Sequence, residues 1–290
     1  MPHKLAGYLA QKTALIEKAL AYYLAFTPDV PPGLVAAMHY AVLNGGKRIR
    51  PILLLAAAEL LGVDEGQIMP AACAVEMVHA YSLAHDDLPC MDDDDLRRGR
   101  PSCHKKFGEA TALLAGDTLQ AYAYEIVARD CPPAQALTLI AQLGRASGVY
   151  GMAGGQAWDL AGTARTLPEL QEMHALKTGA LLEYAVTAPL CLAQADAAVR
   201  RALHVYAAAI GLAFQIKDDI LDAEGTAEIL GKTPGKDVRG HKATYVTLLG
   251  MAKAKELLAA ETTKAYQSAR IFGTGNILLV LARHLLERKN

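Results

Sequence analysis

Apolar positions recur at the three-to-four spacing of helices almost throughout this chain, and the strict alternation that marks strands is absent. Leu5, Leu9, Ile16, Leu20 and Leu24 give one apolar side to a first helix, from about Leu5 to Phe26. Thr27 and Pro28 stop it, and Pro31, Pro32 and Gly33 make a turn. Leu34, Met38, Ala41 and Val42 carry a second helix to Gly45 and Gly46, a helix-stop signal. Pro51 opens an apolar helix to Leu61. In the next helix Val75, His79, Ser82 and Asp86 recur on one face, until Pro89 disrupts it by lacking an N–H and crowding the preceding turn. A helix from Glu109 to about Arg129 ends at Cys131, Pro132 and Pro133.

A helical pattern then runs from Ala134 to Leu160, with Gly144, Gly148, Gly151, Gly154 and Gly155 spaced so that a neighbouring helix can approach closely. Thr166 and Pro168 mark another start, and Gly179, after Lys177 and Thr178, predicts a kink. Pro189 bends the following helix, Asp196 caps a long one through Asp222, and two final helices cover about 244–271 and 276–288. No linker, repeat or low-complexity segment divides the chain, so the expectation is an all-α fold with a single domain over 1–290.

Composition sharpens this. Hydrophobic residues make up 52% and aromatics only 6%, and alanine and leucine favour helix over strand. A net charge of −1 argues against general nucleic-acid or anionic-membrane binding. No apolar run has the length of a bilayer span, and the N-terminus lacks a signal-peptide pattern. Cys73, Cys90, Cys103, Cys131 and Cys191 have neither metal-site spacing nor a disulfide framework. The expected protein is reduced and cytoplasmic.

The chemistry concentrates in HAYSLAHDDLPCMDDDDLRRGR, residues 79–100. Six aspartates (Asp86, Asp87, Asp92, Asp93, Asp94, Asp95) lie beside Arg97, Arg98 and Arg100. Carboxylates this dense repel one another unless cations sit among them, and oxygen-only ligands suit a hard ion such as Mg²⁺. Asp92 cannot converge with Asp86 on an unbroken helix, but a break near Pro89 brings it back. A solvated acidic loop balanced by its own arginines is the alternative. In FQIKDDILD, Asp218 and Asp222 share a helix face with Asp219 beside them, in a largely apolar helix. Two such clusters point to a shared metal–diphosphate cleft. Lys47, Arg48 and Arg50 beside a Gly-Gly turn could hold a phosphate, or could be ordinary surface cations.

DDLPCMD followed by DDDLRRGRP, then FQIKDDILD and GKTPGKD, resembles the trans-isoprenyl diphosphate synthases, with the spacing of the bacterial farnesyl diphosphate synthases and their geranylgeranyl relatives. The resemblance runs from about Gly45 to Tyr245. It implies an isoprenoid-synthase helical bundle around a central cleft, several Mg²⁺ ions, isopentenyl and allylic diphosphates as substrates, and a homodimer. It implies that Gly46, Lys47, Arg50, His79 and Arg98 hold isopentenyl diphosphate, and that Asp86, Asp87, Asp92, Asp218 and Asp222 hold metal. Arg97, Lys177, Lys232 and Lys242 would meet the allylic diphosphate, with Thr178 and Gln215 facing a carbocation. Tyr81, about 7.5 Å along the helix axis from Asp86 at 1.5 Å per residue, would floor the pocket with Ser82 and select a farnesyl product. Plain helix packing remains open for Tyr81, and geranylgeranyl or geranyl synthesis remains open for the product. A terpene cyclase would share the fold but not need Lys47, Arg50 and His79. A non-catalytic partner subunit would be expected to have degraded motifs.

Overall fold

In the computed structural model, residues 2–224 and 243–286 are described, and almost all regular structure among them is α-helix. The contacts group into two compact units, one of residues 1–59 and 63–141, the other of 60–62 and 142–290.

The first unit holds α1 (Pro2–Tyr23), α2 (Pro32–Leu43), α3 (Ile49–Leu60), α4 (Glu65–Asp86), α5 (Cys103–Phe107) and α6 (Glu109–Asp130). α3 buries every residue from Pro51 to Ala58, and α4 every residue from Ala71 to Val78. Helices apolar all round belong in a core. Ile16, Leu20 and Leu24 are buried as the pattern of α1 predicts, whereas Leu5 and Leu9 are only half-buried. A two-residue hairpin interrupts the helices: β1 (Leu96–Arg97) pairs antiparallel with β2 (Arg100–Pro101). Its central residues Arg98 and Gly99 both have positive φ, 55° and 74°, the twist that tight hairpins require.

The pattern from Ala134 to Leu160 is not one helix. It divides into α7 (Pro133–Ser147), which begins in the first unit, and α8 (Met152–Ala161). The chain turns at Gly148–Gly151, and a β-carbon on Gly151 would stand 2.1 Å from the Ala146 carbonyl oxygen, so only glycine fits.

The second unit continues with α9 (Leu167–His174), a π-helical turn (Ala175–Gly179), α10 (Ala180–Thr187), a 3₁₀ turn (Ala188–Cys191) and α11 (Ala197–Glu224). Thr166 caps α9 in a reciprocal capping box with Glu169, and the expected kink at Gly179 takes the form of the π turn. Asp196 accepts the Val199 N–H at 2.8 Å, capping α11 as expected. Pro189 ends α10 rather than bending it. The first of the two final helices breaks at Gly250 (φ 78°), giving α12 (Tyr245–Leu249) and α13 (Met251–Ala269), followed by α14 (Ile277–Leu286).

By length and composition alone α11 would match a membrane span. It is nonetheless a core helix: Leu203, Tyr206, Ile210, Ile216 and Ile220 are buried, and Lys217, Asp218 and Asp222 interrupt its remaining surface. All five cysteines are free thiols.

Candidate active site

In the first unit, α4 ends at Asp86 and the chain folds back over its own end. The Asp92 N–H donates to the Asp86 carbonyl at 2.8 Å, Asp93 to Leu88 at 3.2 Å, and Asp94 to Asp87 at 3.2 Å. The break near Pro89 therefore returns Asp92 to Asp86, as the motif requires. Both lie at accessible positions, Asp86 half-buried and Asp92 exposed.

Asp87 departs from its expected place among the metal ligands. It is 1% exposed and takes the guanidinium of Arg97, whose Nε donates at 3.0 and 3.2 Å to its two oxygens and whose Nη2 also bonds Oδ1. Burial pushes the Asp87 carboxyl up, against the pull of Arg97. Arg97 also reaches Asp94 at 3.4 Å. This pair ties the hairpin to the end of α4. Both Asp87 oxygens are thus engaged by Arg97, where a metal ligand was expected, and the Arg97 guanidinium lies on Asp87 and Asp94, where a diphosphate contact was expected.

The His79 imidazole is held well below its usual range, first by desolvation and then by Arg50, Arg98, Arg97 and Arg48. Positive charge from these arginines is felt at His79, the polarity that an anion site needs. Arg98 Nη1 donates to the Gly45 carbonyl, and a β-carbon on Gly46, whose φ is 132°, would stand 2.7 Å from the Arg98 guanidinium. Arg48, Asp93 and Arg98 are the described non-glycine residues with positive φ, and such strain gathers at functional sites.

Tyr81 is 8% exposed and meets His85 edge to face at 5.7 Å, while Gln120 Nε2 donates to its hydroxyl at 3.4 Å. The Ser82 hydroxyl donates to the His79 carbonyl of its own helix at 2.9 Å.

Asp93, Asp95 and His104 group so that one ligand atom of each lies within 4.8 Å of the others, an arrangement able to hold a metal ion. Asp95 also pairs with Lys105 at 2.8 Å, and His104 Nδ1 lies 3.0 Å from the Ser102 hydroxyl.

In the second unit, the π turn presents Lys177 and Thr178. Lys177 Nζ donates to Asp159 Oδ2 at 2.7 Å, and the Thr178 hydroxyl to Gln215 Oε1 at 3.2 Å. Thr178 and Gln215 are thus brought together as expected. Gln215 Nε2 donates to Asp219 Oδ1 at 3.1 Å, and the Tyr245 N–H to Asp219 Oδ2 at 2.8 Å. Asp219 is 6% exposed, an internal tether, while Asp218 and Asp222 share the half-buried face one turn apart. Lys232 and Lys242 lie outside the described residues.

The sequence pattern missed the roles of Arg48, Glu76 and Asp219. A signal existed for Glu76: it is a charge within the uninterrupted apolar run of α4, which demands a buried counter-ion.

A sequence profile described as polyprenyl synthetase matches residues 31–271. The farnesyl diphosphate synthase of Geobacillus stearothermophilus is 47% identical over 269 residues, covering 91% of this chain and 90% of that protein. The chloroplastic geranylgeranyl pyrophosphate synthase of Capsicum annuum is 41% identical over 297 residues, covering 100% of this chain and 80% of that protein. Among solved structures, the crystal structure of an FPP/GFPP synthase from Zymomonas mobilis aligns with a TM-score of 0.89 at 39% identity, over 99% of this chain and 100% of that one.

Proposed function

The chain belongs to the polyprenyl synthetase family, and on that premise we propose that it is a Mg²⁺-dependent prenyltransferase joining isopentenyl diphosphate head-to-tail to dimethylallyl or geranyl diphosphate, with farnesyl diphosphate as product. The observation that carries the reading is Arg98, folded back onto the Gly45–Gly46 turn beside Lys47, with its positive charge and that of Arg50 acting on His79. A cyclase acting on one diphosphate has no use for this second anion site.

The donor set fits the metal. Asp86 and Asp92 supply hard carboxylate oxygens at neighbouring, accessible positions in the first unit, and Asp218 and Asp222 do so in the second. Bound there, Mg²⁺ would neutralise charge on the departing diphosphate. Asp87 drops out of this set because Arg97 occupies it.

The remaining work belongs to the side chains. Lys47, Arg50, His79 and Arg98 orient isopentenyl diphosphate, Gly46 leaving room for Arg98. Lys177 contacts the allylic diphosphate after exchanging Asp159 for it, joined by Lys232 and Lys242. As the allylic carbon–oxygen bond breaks, the oxygens of Thr178 and Gln215 face the developing positive charge. The isopentenyl double bond then forms the new carbon–carbon bond, and the proton lost afterwards passes to the released diphosphate. Tyr81, with Ser82, limits chain growth. On this reading residues 1–290 act as one domain, as a cytoplasmic homodimer.

The test is incubation with Mg²⁺, isopentenyl diphosphate and dimethylallyl diphosphate, with products identified by mass spectrometry. A C15 diphosphate is expected. A C20 product would keep the condensation and remove Tyr81 as the floor. No elongation from any allylic primer would overturn the reading.

A further inference from the structure

Between Lys47 and Arg50 stands a cation that solvent does not reach. Arg48 is 2% exposed, as is its partner Glu76 on α4. Its Nη1 donates to Glu76 Oε1 at 2.6 Å, its Nε to Glu17 Oε1 at 2.7 Å, and its Nη2 to the Val42 carbonyl at 2.7 Å. One guanidinium thereby joins α1, the end of α2 and α4. Its backbone is left-handed, with φ 48°, a conformation that persists only where the surroundings over-determine it.

The partner matters as much as the arginine. Glu76 lies one turn before His79 on α4. Its charge acts on Arg98 as well: burial pulls that guanidinium down, and Glu76 is the leading influence holding it up. A buried carboxylate is therefore within electrostatic reach of the cations around His79. Arg48 neutralises it.

We propose that Arg48 is a positioning residue that masks Glu76, so that the cations around His79 face the substrate diphosphate instead of an internal carboxylate. This rests on that cluster being the isopentenyl diphosphate site. Without Arg48, Glu76 is a buried anion lacking its main counter-ion. Such a group neutralises itself or recruits another cation, and Arg98, on which Glu76 already acts, is the cation drawn towards it. Glu17 poses less of a problem, because its side chain is 35% exposed and water can solvate it. Removing both charges at once leaves no anion to recruit anything, and apolar or neutral replacement of a buried pair is often tolerated.

The experiment compares Arg48→Met, Arg48→Met with Glu76→Gln, and Lys47→Ala, measuring kcat and the KM for each substrate. Arg48→Met is expected to raise the KM for isopentenyl diphosphate about tenfold or more, equivalent to about 1.4 kcal/mol, with a smaller change for dimethylallyl diphosphate. Adding Glu76→Gln should bring that KM back to within about threefold of the wild type. A clamp serving shape alone would leave the double variant at least as impaired as the single one, and that result overturns the masking role. Should Arg48→Met fail to fold, Arg48→Lys retains the neutralising charge and should raise the KM by less than about threefold, a tenfold rise again overturning the proposal. If Lys47→Ala leaves the KM for isopentenyl diphosphate unchanged, the site assignment itself falls. If Lys47→Ala raises it and Arg48→Met does not, the assignment stands and the mask is rejected.

Discussion

Gly155→Ala puts the packing behind Lys177 and Thr178 to a test of sign. A β-carbon at Gly155 would stand 2.2 Å from the Lys177 backbone nitrogen, 2.6 Å from its Cα and 2.8 Å from its Cβ, where ordinary contact begins at 3.4 Å. In the interior of α8, alanine for glycine would by itself gain about 0.8–1.0 kcal/mol of helix propensity. Forcing a methyl into a full space costs about 1–3 kcal/mol. The clash should win, because the obstacle is backbone and the turn it belongs to is anchored on both sides, by Lys177 on Asp159 and Thr178 on Gln215. The expected net loss is about 0–2 kcal/mol by urea denaturation, towards the upper end because the contacts are with backbone. Displacing the turn by roughly an ångström should also lower kcat/KM for dimethylallyl diphosphate by at least about tenfold, with less effect on isopentenyl diphosphate. Gly144→Ala in α7 is the control, since nothing lies within 4 Å of its β-carbon; that variant should gain stability. A Gly155→Ala protein as stabilised as the control, with unaltered allylic kinetics, would refute the argument.

Asp87→Asn should cost about 3 kcal/mol in urea denaturation, because it removes the main counter-ion of Arg97 and leaves only Asp94, at 3.4 Å; stability equal to the wild type would show that the pair does not tie the hairpin down. Burial pulls the His174 imidazole from 6.5 down to about 4, with Lys177 adding and Asp159 opposing. The folded state therefore excludes a proton that the unfolded chain accepts, so this contribution is whole above about pH 6.5 and fades as pH falls towards 4. His174→Gln should flatten that acid limb by roughly 3 kcal/mol, and an equally steep limb would refute the assignment. Tyr81→Ala should lengthen the product beyond C15 by mass spectrometry, and an unchanged C15 product would make Tyr81 a packing residue only.

The helix boundaries were legible in the sequence where one residue type decides them locally. Thr166 and Asp196 cap the helices they were expected to cap, and Pro89 marks the break that returns Asp92 to Asp86. Boundaries that depend on what the backbone meets in space were not. Gly151 and Gly155 look alike in the sequence, yet the first turns the chain against the Ala146 carbonyl and the second admits the Lys177 backbone. The site shows the same limit through its repeated residues. Asp86 and Asp87 are chemically identical neighbours, as are Asp218 and Asp219. Successive helical residues point about 100° apart, so a doubled aspartate cannot set both carboxylates on one face. Where the adjoining face is apolar, the second carboxylate must find a donor inside the protein. Asp87 finds Arg97, and Asp219 finds the Tyr245 N–H and Gln215. Each doubled aspartate is therefore one candidate ligand and one tether. Arg48 follows the same logic among the cations: turned inward beside Lys47, it meets Glu76 and Glu17 rather than a substrate.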